Sequence, residues 1–101
     1  MSMSAARSII APNELGLDTR ASFREAAFAE LSALADGGVL KVDLGSTRRV
    51  DSAGLSALML IQRRAADRQQ RVVLKDPSEE FRYLLALTEM ADLFELERKP
   101  A

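Results

Sequence analysis

Two periods of apolar residues alternate along this chain. Phe23, Ala27, Leu31 and Leu34 recur at spacings of four, four and three, which sets them on one face of an α-helix. Residues 39–44, VLKVDL, form a short apolar run with a single Lys in it and predict an interior strand. The helical spacing returns at Ser52 and runs to about Gln69, with Leu55, Leu58, Gln62 and Ala65 along one face and Ile61 beside them. Residues 71–75, RVVLK, predict another strand, and Phe81, Leu84, Leu85 and Thr88 mark a third helix. The tail LFEL at residues 93–96 closes as a short strand or packs on the core.

Turn and cap residues punctuate these runs. Residues 8–11, with Ile9 and Ile10, predict a short strand closed by Pro12-Asn13; residues 14–17 extend it or pair with it. Asp18 or Thr19 is placed to cap the first helix, and Gly37-Gly38 to end it. Residues 45–49 read as a loop, and Asp76-Pro77-Ser78 as a turn in which Ser78 caps the third helix. Strands alternating with helices define an α/β class. The strands at 39–44 and 71–75, joined through a helix, form a right-handed βαβ unit. Three or four helices would cover mainly one face of a sheet of about four strands. No repeat or linker divides the chain, so residues 1–101 are expected to form one domain.

Composition then narrows the function. Hydrophobic residues make up 48% and charged residues 29% of the 101 positions, the balance of a folded domain. Fourteen Lys and Arg against 15 Asp and Glu leave a net charge of −1, with little long-range pull on nucleic acid or anionic membrane. The longest apolar stretch, residues 57–61, falls far short of the roughly 18 to 20 residues that span a bilayer. The start MSMSAARSII has one basic residue and no long apolar segment, so a cytoplasmic location is expected. There is no Cys and no His, which excludes disulfides, thiol nucleophiles, His-bound metals and a Ser-His-Asp triad. Neither GxxxxGK[ST] nor GxGxxG occurs. The expectation is a protein that is not an enzyme and needs no cofactor.

What remains is VDSAGL at residues 50–55, at the join between strand and helix. Two readings of Ser52 stand side by side. Serine is a favoured helix N-cap, and Ser52 stands where the helix should begin. A helix N-terminus also tolerates a phosphate, and a phosphoryl group adds about −1.5 to −2 of charge. Beside Asp51, that charge would alter the surface sharply while the fold persists. Gly54 allows close packing near the helix start. Around the helix, Leu60 lies roughly opposite the buried stripe and Met59 at its edge; they meet a neighbouring helix or form a partner patch. Arg63 and Arg64 lie further along, and Arg48 and Arg49 precede the motif; these arginines are either solvated or part of a docking surface.

The segment VLKVDLGSTRRVDSAGLSALMLIQRRAADRQQRVVLKDPSEEFRYLLALTEMADLFEL resembles the STAS family, the domain of bacterial anti-sigma factor antagonists. The likeness covers residues 39–96, and the first 38 more loosely through NEL before the first helix. Its most specific part is the strand VDL, a short loop, then VDSAGL running into a helix. The resemblance implies a mixed sheet of four to five strands with helices packed on one side. It implies Ser52 as phosphoacceptor, flanked by Asp51 and Gly54, with Arg48, Arg49, Leu55, Met59 and Leu60 supplying the docking surface. The implied partners are an anti-sigma factor that is a serine kinase, which brings its own ATP and magnesium, and a phosphatase. Three departures stand out: Ala53 where a second hydroxyl is common, a short N-terminal region, and the basic approach STRRVD. That last feature is similar to the STAS subunit of the ABC transporter that maintains outer-membrane lipid asymmetry, which docks on the transporter's ATPase. DSAGL also resembles the motif of STAS proteins associated with chemotaxis-type signalling operons.

Overall fold

The structure, a computed structural model, describes residues 3–98. The chain runs β1 (Ser4–Ile10), β2 (Glu14–Leu15), α1 (Arg20–Ser32), β3 (Leu34–Asp43), β4 (Arg49–Val50), α2 (Ser52–Asp67), β5 (Arg71–Lys75), α3 (Glu79–Leu87), a single 3-10 turn (Ala91–Leu93) and β6 (Glu95–Glu97). Four strands form one sheet in the order β1-β3-β5-β6, and β2 pairs with β4 in a second, two-stranded ladder. Every pairing among the described residues is parallel, where the family likeness implied a mixed sheet. The expected βαβ unit is β3-α2-β5, and β5 keeps the bounds read from its pattern.

Alternation along the strands decides which side carries the core. Leu40 and Val42 of β3 pair with Val72 and Leu74 of β5, so all four share a face and are buried. Against that face pack Phe23, Ala27 and Leu31 of α1, Leu58, Ile61 and Ala65 of α2, and Phe81 and Leu85 of α3. The Arg64 guanidinium lies over the Phe28 ring, 4.1 Å from its centroid, tying α2 to α1 rather than standing free in solvent.

The opposite face of the sheet is open and charged, with ion pairs from Lys41 to Glu97 and from Arg71 to Glu95 across its strands. Parallel sheets usually bury both faces. Here the charged rows of β3, β5 and β6 make one face suited to water.

The end of α1 corrects the sequence reading. The helix stops at Ser32, and Leu34 is the first residue of β3. Gly37 and Gly38 lie inside the strand, not at the helix end. The amide of the buried Gln70 donates to the Leu31 and Leu34 carbonyls at 3.0 and 2.9 Å, and Arg68 donates to Leu31 at 3.2 Å. Partners distant in sequence therefore satisfy the helix-end carbonyls that a glycine motif would otherwise satisfy. Gly37 adopts φ 79 and donates its N–H to the Gln69 carbonyl, near the place where the β1–β3 register shifts. β1 also begins earlier than the pattern suggested, at Ser4.

Candidate functional site at the start of α2

The site is built where β4 delivers the chain into α2. Leu15 of β2 pairs with Val50 of β4, which brings the turn after β2 against the first residues of the helix. Asp51 follows with extended geometry (φ −92, ψ −176), and its side chain caps α2 by accepting from the Gly54 N–H at 2.9 Å. The second carboxylate oxygen accepts from the Leu17 N–H at 3.3 Å, and the Asp51 N–H donates to the Leu15 carbonyl at 3.2 Å. Hydrogen bonding from Gly54, then from Leu17 and Ala53, with the charge of Arg20, holds the Asp51 carboxyl below the usual aspartate range against a smaller desolvation effect.

The cap reading of Ser52 is thereby corrected. Ser52 is the first helical residue, exposed, and among the described residues nothing bonds its side-chain hydroxyl. An N-cap requires the extended backbone that Asp51 supplies. Thr19 shows a related difference before α1: it occupies the cap position, yet its hydroxyl donates to the Glu14 carbonyl and accepts from the Gly16 N–H. Ser78 does cap α3, accepting from the Phe81 N–H at 3.0 Å.

Gly54 packs its Cα directly against β2. A Cβ built there would lie 2.0 Å from the Leu15 carbonyl oxygen and 2.7 Å from its carbon, both backbone atoms. Gly16 faces the other side of the junction, where a Cβ would meet an Asp51 carboxylate oxygen at 2.4 Å. Thr47, buried, donates its hydroxyl to the Pro12 carbonyl at 2.8 Å and anchors the loop. Sequence reasoning missed Gly16, Leu17 and Thr47, because the β2–β4 pairing that gathers them joins segments more than 30 residues apart.

The remaining candidates divide. Leu55 is only 7% exposed and belongs to the core, so it is no part of a docking surface. Met59 is half-buried against the core, and Leu60 is 41% exposed. With Ser56 and Arg63 they line a shallow depression on the outer side of α2. Ser56 stands four residues after Ser52, a helical spacing that could have revealed it. Arg48 and Arg49 are exposed and line the open groove between β4 and α3, which Glu80 also lines. The outer surface of α2 thus offers a free hydroxyl, an apolar depression and a nearby pair of cations.

A parallel sheet with three helices on one face, and an aspartate-capped helix emerging from a short second ladder, define an α/β domain of the STAS type. Residues 11–96 match the family described as "Mlab, STAS domain", and the chain belongs to the STAS family. A solved structure from Thermotoga maritima, described as a proposed anti-sigma factor antagonist, superimposes with a TM-score of 0.76 at 19% sequence identity. The match covers 92% of this chain and 80% of that one, and at this identity the likeness is one of fold. No curated protein sequence matches the chain. No helix among the described residues is long and apolar enough to cross a membrane.

Proposed function

We propose that this chain is a non-enzymatic partner switch of the anti-sigma factor antagonist kind, controlled by phosphorylation of Ser52. One observation carries the reading: the Ser52 hydroxyl is exposed on the first turn of α2 while Asp51 does the capping. The acceptor therefore has no structural duty, and its modification leaves the cap in place.

In the transfer step the Ser52 Oγ attacks the γ-phosphorus of ATP held with magnesium by a partner serine kinase. The bond to ADP breaks, and the serine proton passes to a base on the kinase. The phosphoserine carries about −1.5 to −2 of charge. It would stand beside the ionised Asp51 and at the head of the Ser56–Met59–Leu60–Arg63 surface, where the unmodified form docks the kinase. Like-charge crowding and desolvation cost then release the partner. Hydrolysis by a phosphatase restores the hydroxyl and the docking surface.

A second reading has its own observation. Arg48 and Arg49 stand exposed beside the motif, the basic approach that resembles the STAS subunit of a lipid-transport ABC system. In that reading the same surface docks an ATPase subunit.

Pull-downs from native lysate with wild type and Ser52→Asp side by side distinguish the two. Retention of a small ATP-binding kinase by wild type, lost with Ser52→Asp, supports the switch. Recovery of an ABC ATPase with its permease by both proteins overturns it.

A further inference from the structure

A second apolar surface lies on α3, away from Ser52. Tyr83 and Leu87 are 66% and 63% exposed and four residues apart, so they share the outer face of that helix. Carboxylates bracket them: Glu79 in the first turn keeps 94% of its side chain exposed, and Glu89 follows the helix end. On the outer side of α2 the exposed Arg63 lies beside Met59 and Leu60, whereas on α3 the flanking charges are Glu79, which also pairs with Arg82 at 3.8 Å, and Glu89. The two apolar patches thus carry flanking charges of opposite sign. α2 and α3 both send side chains into the one core on the same face of the sheet, so their outer faces belong to the same side of the molecule.

We infer that the outer face of α3 docks on the outer face of α2 of a second copy of this chain. Met59 and Leu60 meet Tyr83 and Leu87, and Arg63 faces the carboxylates of the partner's α3. A two-fold axis repeats the contact, α2 on α3 and α3 on α2, which closes the pair as a dimer rather than an open chain. Charge complementarity selects this occupant, because a copy rotated to set α3 on α3 would oppose like charges. The dimer covers the surface that the proposed partner would use, so self-association and partner docking exclude one another. That consequence rests on the function proposed above, whereas the contact itself does not.

The test uses the purified chain alone, so its failure leaves the partner-switch reading standing. Sedimentation of wild type is followed from about 10 µM to about 1 mM, the range of weak complexes. The expected result is a mass rising towards twice the monomer, with association at least tenfold weaker in high salt, where exposed charges are screened. Arg63→Glu alone and the double variant Glu79→Lys/Glu89→Lys alone should each stay monomeric. Mixed together they should associate, since every α2–α3 contact in the mixed pair again joins opposite charges. That recovery also shows that both variants are folded. A wild type that is monomeric throughout, or a dimer that both variants leave unchanged, overturns the inference.

Discussion

The carboxylate of Asp51 reaches both the Gly54 N–H of its own helix and the Leu17 N–H of the turn after β2. One side chain thus caps α2 and fastens it to a segment 34 residues earlier in the chain. Ser52, its neighbour, is left with a free hydroxyl on a rigid helix start. Removing a free group leaves stability nearly unchanged, whereas removing a bonded group lowers it.

Ser52→Ala should leave stability within about 0.5 kcal/mol of wild type, as expected for an exposed residue without a bonding partner. Asp51→Ala should be clearly the more destabilising of the two, because it orphans the Gly54 and Leu17 N–H groups. Urea denaturation of the two variants alongside wild type gives the order. If Ser52→Ala were the worse, the cap assignment would be wrong.

Gly54→Ala should cost about 1–3 kcal/mol or more, because the added Cβ meets the backbone of Leu15 and not a movable side chain. The strain falls on the β2–α2 junction. Hydrogen exchange should therefore show the Leu17 and Gly54 amides losing protection before those of β3 and β5.

Acid should reveal Asp51 through linkage. Its pKa in the folded chain lies below its ordinary value of 3.8. The stabilisation is therefore fully present above that value and is lost as pH falls through the folded pKa. Denaturation midpoints measured downward from about pH 6 should drop more steeply below about pH 4 for wild type than for Asp51→Asn. Equal slopes would mean that the carboxylate gains nothing from its bonds. Glu95, lowered by its bond to Arg71, titrates in the same direction, and the comparison with Asp51→Asn cancels it.

Two leucines of α2 should separate core from surface. Leu55→Ala should lose about 2–5 kcal/mol, the range for a buried leucine. Leu60→Ala should stay within about 0.5 kcal/mol in the same denaturation experiment while weakening capture of the partner. A stable Leu55→Ala would contradict its place in the core.

How much of this was legible beforehand varies with the range of the interaction. β5, the helix from Ser52 and the Ser78 cap are all local patterns, in which each signal lies within a few residues of its effect. The motif VDSAGL was visible as a join, and its glycine as a point of close approach. The side-chain role was misplaced by one residue: Ser52 and Asp51 are both good caps by type, and only the backbone angles decide between them.

The end of α1 was misread for a different reason. Leu34 continues the helical spacing of Phe23, Ala27 and Leu31, and Gly37-Gly38 offers a local stop. The structure instead stops the helix with the side chains of Arg68 and Gln70, more than 30 residues away. No window on the sequence contains both partners of those bonds. Leu55 is a different case: helical spacing already set it on the buried stripe opposite Leu60, and its burial bears out that spacing against the docking role given to it with the family likeness.

The sequence by itself determined the alternation of strand and helix, the absence of thiol and imidazole chemistry, and the position of the exposed join, because composition and short-range periodicity act within one or two turns of chain. Only the tertiary structure decided that Asp51 rather than Ser52 caps α2, that Gln70 and Arg68 close the end of α1, and that the turn after β2 is set against the start of α2. Those outcomes depend on which distant backbone groups and side chains are brought within bonding distance, and that is settled when the sheet and its helices pack together.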